Sequence, residues 1–169
     1  GLAIGDEVEF SGELLTVELG PGLLAQIFDG LQNPLPSLAE KCGFFLERGT
    51  YLPALPRDAR WAFTPSVNVG DRVSAGEMLG KVPEGIFQHR IMVPFSMAGV
   101  LTVVDVAGPG SYTVEQVVAT LKDEQGGTHR VSMMQRWPVK IPIRAYAERL
   151  RPTEALTTKI RIIDTFFPV

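Results

Sequence analysis

The chain has 169 residues, 45% of them apolar and 21% charged, with a formal net charge of −3. That balance is ordinary for a folded globular protein and excludes an intrinsically disordered segment. The weak negative charge argues against nucleic acid or an anionic membrane as the main partner, and no apolar run approaches the ~20 residues of a membrane-spanning helix.

Cys42 is the single cysteine, so an internal disulfide is excluded and a reducing compartment suits the chain. Its side chain reads as a small half-buried residue. The 17 glycines and 13 prolines fall between short apolar runs, the punctuation of an all-β domain.

In chain order, residues 7–19 read as two short strands around Ser11-Gly12, with Val8 and Phe10, then Leu15, Val17 and Leu19, alternating with polar neighbours. After Gly20-Pro21-Gly22, the spacing of Leu23, Leu24, Ile27, Phe28 and Leu31 predicts a helix cut short at Gly30. A second short helix is expected over 37–41, with Ser37 as its cap and Glu40 three residues on.

From Gly43 onward the pattern is strand and turn. Strands are expected at Phe44–Leu46, Trp61–Phe63, Val67–Val69, Met78–Val82, Ile91–Pro94 and Val100–Val104, at the even spacing of a sandwich or barrel. Residues 113–122 and 129–134 flank Asp123-Glu124-Gln125-Gly126-Gly127 as a hairpin with a glycine-rich loop. Trp137–Pro142, with two prolines, reads as an edge or exit strand. The last run, Ile160–Ile163 followed by Phe166-Phe167-Pro168-Val169, reads as strand-like and too apolar for a solvated tail. The chain also starts at Gly1 with no initiator methionine or targeting segment, so both ends read as cut from a larger protein.

No catalytic, cofactor-binding or metal-ligating residue is assigned. His89 and His129 have no Cys or His at ligand spacing. There is no Gly-x-Ser-x-Gly, and Cys42 has no sequence-level claim to a histidine partner. Asp123-Glu124 reads as solvated loop charge. Neither Gly20-Pro21-Gly22 nor Gly108-Pro109-Gly110 is followed by the Lys-Ser/Thr of a phosphate loop.

The turn-strand echo of Val69–Val73 and Gly76–Gly80 resembles a half-motif of the biotinyl and lipoyl carrier domains. Such domains carry their modified lysine at a hairpin tip. The corresponding stretch here, Glu84–Arg90, has no lysine, and Lys81 lies back in the preceding strand. The expected fold is therefore mainly β, a barrel-sandwich of biotinyl/lipoyl type with one or two short helices in the N-terminal third, without carrier chemistry. A stand-alone binding module or an unmodified carrier-like domain is the alternative function.

Several segments together resemble the catalytic A subunit (alpha chain) of V-type and A-type rotary ATPases. They are Val17–Leu24, Ile27–Leu35, Gly49, Val69–Val73, His89–Pro94, Gly110–Val114, Met134–Val139 and Ile162–Pro168, in the family's order. The resemblance implies three parts. Residues 1–32 are the end of an N-terminal barrel and the lead-in to the nucleotide-binding domain. Residues 33–141 are an inserted β-rich bulge domain, and 142–169 return into the nucleotide-binding domain just short of its phosphate loop.

It further implies a structural and interaction role for the bulge in an ATP synthase or ATPase that couples ATP to ion translocation. The parent would use Mg-ATP; this stretch, lacking the phosphate loop, would neither bind nor hydrolyse it. Implied partners are the parent's B subunit and the peripheral stalk heterodimer, with no nucleic acid, no direct membrane contact, and self-association through exposed flanks. The implied location is the cytoplasmic head of the complex, peripheral to the membrane. Lys159, where the family has Gly, and Ala155, where Pro is usual, depart from the pattern.

Overall fold

The computed structural model describes residues 3–10, 12, 14–47, 49–145 and 153–167. Its centre is a sandwich of two four-stranded antiparallel sheets. One contains β2 (Trp61–Pro65), β4 (Met78–Glu84), β5 (Phe87–Met92) and β7 (Gly110–Tyr112), in the order β5-β4-β2-β7. The other contains β3 (Arg72–Ser74), β6 (Val100–Val106), β8 (Val117–Lys122) and β9 (Thr128–Ser132), in the order β3-β6-β8-β9.

Alternation places one face of each strand inside. Along β4, Leu79, Val82 and Glu84 are buried while Lys81 and Pro83 are exposed. Along β6, Leu101 and Val103 are buried between exposed Val100 and Thr102. The inward side chains form two contiguous clusters. Val73, Leu79, Val93, Leu101, Val103, Ala119, Leu121 and Val131 make one, and Phe63, Val82, Ile91, Val118 and Met133 the other. Each cluster draws on both sheets, so burial of this apolar area fixes the sheets face to face.

Gly80 marks the tightest approach. A Cβ there would stand 2.3 Å from the Phe63 ring and 2.8 Å from the Thr64 carbonyl oxygen. Phe63 also packs edge-on against Tyr112 with ring centroids 6.1 Å apart.

Outside the sandwich, β1 (Thr16–Leu19) pairs in antiparallel register with β10 (Gln135–Pro138), Thr16 opposite Pro138 and Leu19 opposite Gln135. The mainly β expectation, the 113–134 hairpin and the edge character of Trp137-Pro138 are therefore found. The hairpin register is Lys122 opposite Thr128. Its loop is closed by Asp123, whose carboxylate accepts the N–H groups of Gln125 and Gly127. A Cβ on Gly127 would fall 2.6 Å from that carboxylate.

Several elements differ from expectation. The predicted helix over 23–31 is a series of turns. The Asp29 Oδ1 accepts the N–H groups of Leu31 (2.9 Å) and Asn33 (2.7 Å), and its Oδ2 accepts the Asn33 amide (2.8 Å). An Asp-Gly turn offers the backbone these local acceptors in place of the helical ladder. The apolar spacing of Leu24, Ile27 and Leu31 buries nothing, since all three are exposed.

The next helix, α1, runs Leu35–Cys42, two residues earlier than expected. Pro34 rather than Ser37 sits at its N-cap with no side-chain hydrogen bond, and Pro36 stands in its first turn, where a missing N–H costs no helical bond. Leu38 is its buried residue, and Cys42 is half-buried as expected.

The strand expected near Val8 and Phe10 is absent, with both side chains exposed; Ser11 lies outside the described residues. Phe44–Leu46 forms an exposed turn, and Val67–Val69 is loop. The C-terminal run is helix rather than strand: α2 spans Arg161–Phe166, while Pro168-Val169 lies outside the described residues. The Asp164 carboxylate reaches back to the N–H groups of Thr158 (2.9 Å) and Lys159 (3.0 Å) and to the Thr158 hydroxyl, satisfying donors just before the helix. Lys159 has φ of +66°, the left-handed conformation that glycine adopts without cost, which gives a physical meaning to the glycine expected there.

Candidate functional site

The β4–β5 hairpin turns at Gly85-Ile86. Glu84, the last residue of β4, follows the inward parity of Val82 and is 6% exposed. Its carboxylate is fully used. Oε1 accepts the N–H groups of Gly22 (2.7 Å) and Leu24 (3.1 Å), while Oε2 accepts from His89 Nδ1 at 2.7 Å.

The Gly20-Pro21-Gly22 turn therefore does present N–H groups as an anion cradle, but the anion is internal. An external phosphate would have to displace a buried carboxylate, and no helix starts at this turn to add its dipole. Gly20 itself is pressed against Leu55 and Met133, where a Cβ would meet atoms at 2.9 Å.

A second polar junction lies beside the first. Glu18 of β1 pairs with Arg57 (2.5 Å) and stands 3.6 Å from Arg136 of β10, and Arg57 also reaches Glu115 (2.8 Å). The Gln32 side chain imitates a neighbouring strand. It accepts the Glu18 N–H (2.7 Å) and donates to the Glu18 carbonyl (2.8 Å). Asn33, 3% exposed, accepts the Leu52 N–H (2.9 Å). Residues 16–34 are thus fastened to the sandwich by side-chain hydrogen bonds and ion pairs, although the second Glu18 carboxylate oxygen is buried without a hydrogen-bond partner.

Each histidine meets a carboxylate, one on each sheet. His89 joins Glu84, and His129 Nε2 lies 2.9 Å from Asp123 Oδ2. Hydrogen bonds from His129 and the Gly127 N–H hold the Asp123 carboxyl below the usual carboxylate range. The sequence reading of Asp123 as free solvated charge is corrected accordingly; Glu124 is exposed and sits 3.4 Å from Arg72. Asp123, Glu124 and His129 line a cleft of about 550 Å3 together with Ser96–Leu101. Among the described residues no group of three or more His, Cys, Asp or Glu is placed to hold a metal ion.

Lys81 is in the stem of the β4–β5 hairpin, opposite Arg90 and Thr64, rather than at its tip. The residues missed in the sequence are Glu18 and Glu84. Glu84 was legible in principle, because it continues the inward parity of Gly80 and Val82 across a proline.

A hairpin-bearing sandwich of two four-stranded antiparallel sheets defines a β-sandwich module. The family model for the ATP synthase alpha/beta subunit's barrel-sandwich domain matches residues 52–140, and the chain belongs to that family. Over all 169 residues it is 60% identical to V-type ATP synthase alpha chain 1 of Treponema pallidum. It is 56% identical to the V-type ATP synthase alpha chain of Treponema denticola and 55% identical to that of Borrelia duttonii. The chain is covered completely in each case and spans 29% of the length of these relatives.

Proposed function

We propose that this chain is the barrel-sandwich part of a V-type ATP synthase catalytic chain and serves as a rigid attachment point on the head of the enzyme. The carrying observation is the match to V-type alpha chains along all 169 residues. In this reading residues 33–141 are the inserted bulge, 1–32 and 142–169 belong to the body it grows from, and the parent couples Mg-ATP chemistry to ion transport at the cytoplasmic head. The bulge contacts the peripheral stalk heterodimer, which must resist the torque of the rotor, while the B subunit packs on the parent body.

Two features of the structure support the reading. The first is stiffness: Glu84 and the Glu18–Arg57 pair fasten residues 16–24 to the sandwich, so a load on the sandwich passes into the flank without a flexible linker. The second is the contrast between a dry core and bare flanks. Leu55, Leu79, Val93 and Leu121 have no exposure, whereas Phe10, Phe44, Phe45, Phe166 and Phe167 are 70–97% exposed. Apolar surface of that extent is what a surrounding assembly would cover.

The test has two arms. Isothermal titration of Mg-ATP into this chain is expected to show no micromolar binding. Titration of the stalk heterodimer into the full-length parent protein is expected to show saturable binding that is lost when the sandwich is masked by an antibody fragment raised against it. Micromolar Mg-ATP binding by this chain, or stalk binding indifferent to the antibody, overturns the proposal.

A further inference from the structure

Between β1 and α1 the chain is pinned at two buried residues, Pro21 and Asn33, and no residue from 22 to 32 is buried. Residues 27–35 close on themselves: the Leu35 N–H donates to the Ile27 carbonyl (2.9 Å) and the Asp29 N–H to the Asn33 carbonyl (3.1 Å). Residues 22–26 have no such closure. Among the described residues, their hydrogen bonds to the rest of the chain are those of the Gly22 and Leu24 N–H groups to Glu84. Ala25 is held there at φ of +60°, a left-handed conformation that strains a residue carrying a Cβ.

Leu23 of this stretch lines a cavity of about 250 Å3 together with His89, Met92, Phe95, Met133 and Met134. An apolar cavity of about 150 Å3 is enough to hold benzene. Unbranched thioether side chains also adapt their shape to what they contact. His89 ties the cavity to the stretch beside it, since the same residue lines the cavity and bonds the Glu84 carboxylate through Nδ1.

We infer that residues 22–26 are a lid, latched by Glu84, over a cavity that takes a small apolar group the size of one aromatic ring. With the latch closed, Leu23 completes the wall and the Glu84 carboxylate keeps its three partners. With it open, the two N–H groups and the carboxylate return to water and Ala25 leaves its strained conformation. Little apolar burial opposes the opening, because Leu24 and Ile27 are already exposed. β1 stays paired with β10 and joined to Arg57 through Glu18 in either position. The lid is thus independent of the attachment role proposed above.

The experiment uses the full-length parent protein, with hydrogen exchange read peptide by peptide and trifluoromethyl-phenyldiazirine as the photolabelling probe. In the unmodified protein, 22–26 is expected to exchange ahead of β4 and β8, through an opening insensitive to low urea. Glu84→Ala removes the latch and is expected to speed that exchange by about tenfold or more, with β8 changed by less than about twofold. Saturable labelling of 89–95 and 132–135 is expected to rise with it. Glu84→Gln serves if the alanine variant fails to fold, with the same direction and a smaller size.

Ala25→Gly acts the other way. Glycine takes the left-handed conformation without strain, so exchange at 22–26 is expected to slow by about twofold or more and labelling to fall. Exchange at 22–26 that follows the strands in every variant overturns the lid. A lid that loosens with no rise in labelling, or labelling that does not saturate, overturns the binding cavity. Faster exchange in Ala25→Gly overturns the strained closed position.

Discussion

On the β3-β6-β8-β9 sheet, outward cations alternate with threonines across the strands: Arg72, Thr102, Lys122 and Thr128 form one such row. On the β5-β4-β2-β7 sheet the corresponding row runs Arg90, Lys81, Thr64, with two cations in contact positions. The inner faces both pack into apolar clusters that mix residues of the two sheets. Burial therefore treats the two sheets alike, and the difference between them lies in the charge pattern of their outer faces. The first row separates its cations by threonines; the second sets Arg90 and Lys81 directly opposite each other.

The comparison can be broken first at the core. Phe63→Ala, in the cluster nearer β2, is expected to destabilise by about 3–5 kcal/mol, and Leu121→Ala, on the opposite sheet, by about 2–5 kcal/mol. Urea unfolding should give one shared transition for each variant. Separate transitions for the two sheets would mean that they are not one cooperative body, contrary to the mixed clusters.

Next in size, Gly80→Ala forces a methyl into the Phe63 ring, and the expected cost is about 1–3 kcal/mol. A neutral result would show that the Phe63 ring on the neighbouring strand can move aside at no cost. Glu84→Gln is expected to cost a similar ~1–3 kcal/mol, because charge-assisted bonds to two backbone N–H groups and His89 are weakened. Hydrogen exchange should accelerate at Gly22 and Leu24 ahead of the sandwich strands, and uniform acceleration would refute a local fastening role.

Lys81→Thr makes the β5-β4-β2-β7 sheet imitate the β3-β6-β8-β9 sheet and is expected to gain about 0.2–1 kcal/mol. Destabilisation would mean that the Lys81/Arg90 repulsion is already relieved within the chain.

The smallest effects are expected from acid. The Asn33 amide and N–H hold the Asp29 carboxyl below its ordinary 3.8, His129 and Gly127 do the same for Asp123, and Thr158 and Lys159 for Asp164. A carboxyl with a depressed folded value lends stability that is complete above the ordinary value and is lost as pH falls through the folded one. The loops around 29–33, 123–129 and 158–164 should therefore stay closed at pH 5 and open below pH 3.8. NMR titration of the carboxyl carbons would show this, and midpoints at or above 3.8 would refute it.

What the sequence announced and what it hid differ by range. Runs of alternating apolar residues bounded by glycine announced β2, β4, β6 and the β8–β9 hairpin, because period-two burial is written locally. The same reasoning failed at 23–31, where helical spacing was overruled by the side chain of Asp29. It failed again at 160–163, where Asp164 bonded back to Thr158 and tipped a β-branched run into a helix. In both places a single polar side chain outweighed the apolar pattern, and no count of apolar residues registers such a bond.

By itself, then, the sequence determined the mainly β class, the sandwich-forming strands, the absence of a phosphate loop within these 169 residues and the resemblance to rotary ATPase A subunits. Each is carried by local periodicity or by ordered motifs. Only the tertiary structure decided that Glu84 closes on Gly22 and Leu24 from about 60 residues away. It likewise decided that Glu18 meets Arg57 and that Lys81 faces Arg90. Those pairings depend on register and on which loops the folded sandwich brings together. Register is a property of several strands at once, because a shift of one residue would turn every one of these side chains to the other face.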